Sequence, residues 1–243
     1  MKSSKKLDNS LVILLTLVSG CADAISFLAL GEVLTAAMTG NTVFLGLSLV
    51  HANGLKPIGY IIALGGFMLG VAVAATILRK KRNETGVNPI VIGAMGLELA
   101  AFVVFGILTS SHVSNQFLLV IVLSFAMGVQ GTLARRIGVN GVPTTVITST
   151  TTGLIESLVW NAFNRNKSQK SSQKVAMVPY SSILIWAFDI ITYGVGAALC
   201  GALVLKVHLH AIWLPTALIA FVMTLSLVFQ SRKKSKVPLK MVR

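Results

Sequence analysis

The sequence predicts an all-α integral membrane protein: six transmembrane helices arranged as two inverted three-helix repeats, each with a Thr-rich re-entrant or interfacial segment. Three observations predict it. Of the 243 residues, 54% are hydrophobic and 12% charged, about half the charge of an ordinary soluble domain. Six apolar stretches reach the length needed to cross a bilayer. The cations, 21 Lys+Arg against 7 Asp+Glu, fall overwhelmingly in alternate connections between those stretches, as the positive-inside rule requires.

The stretches are residues 11–30, 57–79, 89–109, 116–134, 183–205 and 209–229. The first begins after Lys2, Lys5 and Lys6 and contains Cys21, a pattern that overlaps a lipoprotein signal. The apolar run continues past the cysteine to Leu30, however, and so has spanning rather than signal length. Segments 36–52 and 141–163 are apolar but rich in Thr and Gly. They suit full spans, half spans or surface helices, and the cations choose among these. With six spans and a cytoplasmic N-terminus, 19 of 21 cations lie inside, and only Lys56 and Lys206 lie outside. If both Thr-rich segments also cross, the count falls to 14 against 7 and Arg79–Arg82 lands on the outer face. Six spans with both termini cytoplasmic, in the cytoplasmic membrane, is therefore the expected topology.

The high pI of about 10.3 thus reflects orientation and contact with anionic lipid headgroups in the bilayer. Nucleic acid is not an expected partner, because the cations are spread over five segments rather than one face.

A repeat is visible. Thr35, Thr39, Thr42 and Leu45 align with Thr144, Thr148, Thr151 and Leu154 at a spacing of 109, and Gly20 aligns with Gly128 at 108. Gly70–Lys80 and Gly196–Lys206 share their spacing more weakly. Each Thr-rich segment follows the first span of its half. Residues 1–115 form the first repeat, 116–230 the second, and 231–243 a basic cytoplasmic tail. Three spans is an odd number, so the second copy enters the membrane from the opposite side, a plan common among transporters.

Each Thr-rich segment has room to enter the bilayer. Residues 31–42 show no helical period and reach up to ~40 Å when extended. Residues 43–52 make a helix of ~15 Å, half of a ~30 Å hydrocarbon core. The chain then turns at Thr39-Gly40-Asn41-Thr42, and its mirror copy turns at Thr148-Ser149-Thr150-Thr151. The two half-helix N-termini meet in one polar site for a small solute or ion. The alternative is a pair of interfacial helices capped by Asn41 and Thr151.

Asp23, Glu98 and Asp189 lie inside apolar spans with no Lys or Arg beside them. Intramembrane acids are costly and mark functional candidates. Proton coupling, Na⁺ coordination and a hydrogen-bonded structural role all stay open. Glu156 falls in the first turns of the second half-helix and complements its dipole. The substrate-binding set is Asp23, Thr35, Thr39, Gly40, Asn41, Thr42, Gln130, Thr144, Thr148 and Thr151, and the coupling set is Asp23, Glu98 and Asp189.

The remaining signals have structural readings. Gly65, Gly66 and Gly70, Gly93 and Gly96, and Gly194, Gly196 and Gly201 suit close helix packing. Cys21 and Cys200 read as small buried hydrophobes. His51, His112, His208 and His210 fall at or beyond span ends on the outer side, with no metal-ligand spacing. Trp160, Trp186, Trp213 and Tyr180 suit interfaces. With no His-Glu-x-x-His, Gly-x-Ser-x-Gly or P-loop, neither an enzyme nor a cofactor is expected.

The chain also resembles the YoaK-like family of bacterial membrane proteins. The resemblance rests on Gly20-x-x-Asp23, Phe27, Thr35, Thr39-Gly40-Asn41, Gly128-x-Gln130 and Pro143-Thr144-Thr145-x-x-Thr148. Where the family pattern has Thr-Gly in the second half, this chain has Thr148-Ser149. The resemblance covers nearly the whole chain and implies a six-span protein of the cytoplasmic membrane; it supplies no substrate. A secondary transporter of a small solute is the leading expectation. A passive channel and a non-transporting scaffold or sensor are the rivals, and a homodimer is a plausible assembly because six short spans enclose little volume.

Overall fold

The computed structural model describes residues 2–50, 55–79, 86–111, 115–137, 147–168 and 178–235. Eight α-helices lie in this part of the chain: α1 (Lys2–Ala29), α2 (Met38–Leu49), α3 (Pro57–Leu78), α4 (Pro89–Ser110), α5 (Gln116–Ile137), α6 (Ile147–Ser168), α7 (Tyr180–Val207) and α8 (Trp213–Ser235). A 3-10 turn, His208–Ile212, joins α7 to α8. His208 and His210 therefore sit in a structured corner.

Prolines and caps set several of the boundaries. Pro57 opens α3 and Pro89 opens α4, where a missing N–H costs nothing. The Asn88 side chain accepts from the N–H groups of Ile90 and Val91 and caps α4. α1 ends in a Schellman arrangement: Gly31 and Glu32 take positive φ, and the Glu32 N–H donates to the Phe27 carbonyl at 3.1 Å.

Among the described residues, five stretches are long and apolar enough to cross a membrane: Leu7–Ala29, Pro57–Leu78, Pro89–Ser110, Gln116–Ile137 and Tyr180–Arg232. The last is 53 residues long and contains α7, the 3-10 turn and α8. α1 and α5 are the inner helices, with 67% and 61% of their apolar window buried against 28% for α3. Large apolar side chains such as Met68, Leu69, Ile107, Phe188, Ile191 and Leu205 point outward, as lipid-facing residues do.

α1 packs most extensively on α7, and α3 on α5. Both crossings are glycine contacts. A Cβ on Gly20 would lie 2.1 Å from the Tyr193 carbonyl oxygen, and one on Gly196 would lie 2.2 Å from that of Leu17. At the other crossing, Gly128 faces the Phe67 carbonyl at 2.2 Å and Gly70 faces that of Phe125 at 2.1 Å. Only a residue without a side chain lets two backbones approach this closely. Of the glycines expected to pack, Gly65, Gly93 and Gly194 meet nothing within 4 Å. Both cysteines are free and buried, as expected, and the Cys21 thiol donates to the Gly196 carbonyl at 3.3 Å.

The Thr-rich segments differ from expectation in three ways. First, α2 starts at Met38, so Thr39, Gly40, Asn41 and Thr42 form its first turn rather than a bend before it. Second, Thr148–Thr151 lie inside α6, which runs for 22 residues, about 33 Å, too long for a half-helix. Third, neither expected cap is used. The N-cap of α2 is Ala37 with no side-chain bond, and the Thr151 hydroxyl donates back to the Ile147 carbonyl at 2.8 Å. α2 packs on α3, and α6 packs on α7.

Candidate functional site

The loop between α1 and α2 is held by two side chains. Asp23, on the last turns of α1, is 4% exposed. Its Oδ1 accepts from the backbone N–H groups of Thr35 at 2.7 Å and Ala36 at 2.6 Å. Its Oδ2 accepts from the Ala37 N–H at 3.0 Å and from the Tyr193 hydroxyl of α7. The acid expected to have no Lys or Arg beside it therefore has four hydrogen-bond donors. It caps the start of α2 from a neighbouring helix, placing negative charge where unpaired N–H groups converge. That is why Ala37 can occupy the N-cap without a polar side chain.

Asn41 supplies the second hold. Its Oδ1 accepts from the Leu34 N–H at 2.9 Å, and its Nδ2 donates to the Leu34 carbonyl. The amide thus imitates a peptide partner and satisfies both backbone groups of a loop residue. Thr35 is fully buried, with its hydroxyl 3.4 Å from that of Ser26. A Cβ on Gly40 would lie 2.6 Å from the Leu34 side chain. The Thr42 hydroxyl is spent on the Met38 carbonyl at 3.0 Å.

Gln130 lies on the buried face of α5 and donates to the Leu15 carbonyl at 2.8 Å and to the Ser19 hydroxyl at 2.6 Å. The Thr16 hydroxyl, one turn earlier on α1, meets both the Val12 carbonyl at 3.0 Å and Oδ1 of Asp189. α1 therefore carries polar links to α5 and α7 through the middle of the apolar bundle. Among the described residues, Asp189 Oδ2, Gln130 Oε1 and both oxygens of Glu98, which is fully buried in α4, have no hydrogen-bond partner. Of the three acids, Asp23 and Asp189 take hydrogen-bond donors, and Glu98 has none among the described residues.

A cavity of about 510 Å³ opens beside the start of α2. Ala36, Met38 and Thr39 form one wall, and Phe67, Val71 and Ala75 of α3 another. The third comes from the last turns of α5: Gly131, Thr132, Arg135 and Arg136. A separate pocket lies along α6, lined by Thr148, Thr151 and Glu156 among others. The two Thr-rich segments thus line different cavities instead of one. Of the expected binding residues, Asp23, Thr35, Gly40 and Asn41 build the loop and Thr39 lines the cavity beside α2. Thr148 and Thr151 line the pocket along α6, and Gln130 joins α1 to α5.

In the sequence Arg135 and Arg136 count as orientation signals and contacts for anionic lipid headgroups, and nothing in their spacing marks them as cavity residues. Pro143, Thr144 and Thr145 lie outside the described residues, as do His51, His112, Lys80, Lys81, Arg82, Lys170, Lys174 and residues 236–243. Among the described residues, no group of three or more His, Cys, Asp or Glu side chains could hold a metal.

Comparison with known proteins finds a transmembrane relative. The chain is 32% identical over 216 residues to the UPF0700 transmembrane protein YoaK of Bacillus subtilis (strain 168), an alignment covering 88% of this chain and 92% of that protein. No solved structure matches it. Residues 11–225 match the family described as "Protein of unknown function (DUF1275)". With its apolar helices and this transmembrane relative, the chain is a multi-pass membrane protein of the DUF1275 family, the YoaK-like group.

Proposed function

We propose that the chain is a secondary transporter of a small solute, built from two inverted repeats of three spans, with α7 and α8 counted as separate spans. One observation carries the reading: the two glycine crossings correspond residue by residue. Gly20 faces the Tyr193 carbonyl and the Ala197 N–H; Gly128 faces the Phe67 carbonyl and the Val71 N–H. Gly196 faces the Leu17 carbonyl; Gly70 faces that of Phe125.

Every partner on α1 lies 108 residues before its counterpart on α5, and every partner on α3 lies 126 residues before its counterpart on α7. The shorter contacts follow suit, with α2 on α3 and α6 on α7. Two halves that use the same backbone contacts in the same order descend from one unit. Three spans per unit inverts the second copy. Such folds move solutes by shifting one repeat against the other, and a cavity beside an irregular segment at membrane depth is where a solute binds. Placing the cationic ends of α1, α3 and α5 on the cytoplasmic side follows from the positive-inside rule.

The test is flux. Proteoliposomes holding the purified chain are offered a mixture of small metabolites under an imposed proton or Na⁺ gradient, and their contents are compared with protein-free liposomes by mass spectrometry. Gradient-driven accumulation of at least one solute, abolished by an ionophore, is expected. Equilibration without accumulation identifies a channel, and contents equal to the protein-free control overturn the reading.

A further inference from the structure

One of the differences between the two halves, at the crossings, has a chemical meaning. Three residues after its crossing glycine, the first half has Asp23; the second has Gly131. Three residues before the partner glycine, α7 has Tyr193; α3 has Phe67. One half thus fills this position with a carboxylate and a phenol that donates to it. The other half has neither, and its Gly131 and Phe67 line the 510 Å³ cavity instead.

Charge is reversed there as well. One turn beyond Gly131 stands Arg135; its counterpart one turn beyond Asp23 is Phe27, an exposed apolar residue. Arg135 makes no hydrogen bond or ion pair among the described residues, and no acidic side chain is among those lining the cavity. Arg136 is engaged elsewhere, reaching the Leu78 carbonyl at 3.5 Å. Asp8 lies against Gly86, whose N–H donates to the Arg136 carbonyl.

Resting on the inverted-repeat reading, we infer that this cavity binds a small organic anion with an apolar body, its carboxylate paired with the Arg135 guanidinium. A guanidinium with no partner among the described residues balances one carboxylate and grips it through two parallel N–H donors. Phe67, Val71 and Ala75 form an apolar wall suited to the body of such a molecule. Thr39 and Thr132 line the other walls, with the Thr132 hydroxyl donating to the Gly128 carbonyl at 3.0 Å, and the volume falls within the range of small-molecule sites. In effect the ligand brings to the second half the carboxylate that Asp23 builds into the first. The same chemistry is offered by the headgroup of an anionic lipid, so the test separates the two.

The probe is radiolabelled benzoate, with the full chain in nanodiscs of phosphatidylcholine. Saturable binding is expected, displaced by unlabelled benzoate and not by benzyl alcohol. Arg135→Gln should weaken it at least tenfold, with partial recovery in Arg135→Lys. Ala75→Phe, which fills the cavity from α3, should abolish it. Size-exclusion profiles and thermal unfolding report whether each variant is folded. Absence of saturable binding to the unmodified chain overturns the inference, as does equal binding by folded Arg135→Gln. Nanodiscs containing phosphatidylglycerol decide the source: retained binding supports a free organic anion, and loss overturns it in favour of a lipid headgroup. Proteoliposome flux separates this inference from the one beneath it. Benzoate binding without flux of any solute removes the transport reading and leaves the anion site. Flux of another solute without benzoate binding does the reverse.

Discussion

The Tyr193 hydroxyl donates to the Asp23 carboxylate across the α1–α7 crossing, close to where Gly20 meets the Tyr193 carbonyl. The same carboxylate holds three backbone N–H groups ahead of α2. Hydrogen bonds to a charged group are worth about 1.5–3 kcal/mol each. Tyr193→Phe should therefore lower stability by about that amount, and Asp23→Ala by more, since it strands all four donors. Because the two residues share one bond, the double variant should cost less than the sum of the singles, by about 1 kcal/mol or more. Chemical denaturation in detergent measures this, and strictly additive losses would remove the link.

Glycine substitutions should separate into two classes. Gly20→Ala, Gly70→Ala, Gly128→Ala and Gly196→Ala each place a methyl group about 2 Å from a backbone carbonyl. Overpacking of this kind costs about 1–3 kcal/mol. Gly65→Ala, Gly93→Ala and Gly194→Ala enter open space, where gaining Ala helix propensity should leave stability equal or raise it by about 0.5–1 kcal/mol. Thermal unfolding of all seven variants checks the division, and a crossing glycine that accepts alanine freely would disprove the close approach at that crossing.

Asn41 is predicted to tolerate no common replacement. Asn41→Ala leaves the Leu34 N–H and carbonyl unpaired, at about 1–3 kcal/mol. Asn41→Asp keeps the acceptor but has no donor for the Leu34 carbonyl. Protease susceptibility of the α1–α2 loop in detergent should rise in both variants; unchanged cleavage would mean that Asp23 alone secures the loop.

Glu98 should be replaceable with profit. Both of its oxygens are buried without partners among the described residues, and such burial costs about 1–3 kcal/mol. Glu98→Met, of similar length and wholly apolar, should unfold at a higher temperature than the unmodified chain. A drop in unfolding temperature would show that the carboxyl group is bonded in the folded protein.

The helices were legible because spanning length and charge position are local properties. Pro57, Pro89 and the apolar runs locate α3, α4 and α5 to within a few residues of their observed ends. The start of α2 was not legible, because its cap comes from Asp23, 14 residues upstream of Ala37 on another helix. Cap signals read along the chain assume a neighbouring residue. For the same reason Asn41 looked like a cap or a ligand, when it is a clamp on Leu34.

Composition, hydropathy and cation placement by themselves determined that this chain is helical and lies in a membrane, because those features record the solvent that each segment meets. The repeat left its trace at Gly20 and Gly128 and, faintly, at Gly70 and Gly196. Only the tertiary structure decided that these four glycines form two matching crossings, because contact between helices depends on which faces meet. It also decided the fate of the acids. Asp23 is saturated by donors that the chain brings back to it, Asp189 is half bonded, and Glu98 has no partner among the described residues. Three carboxylates that look alike in apolar sequence thus differ through the partners that folding places beside them.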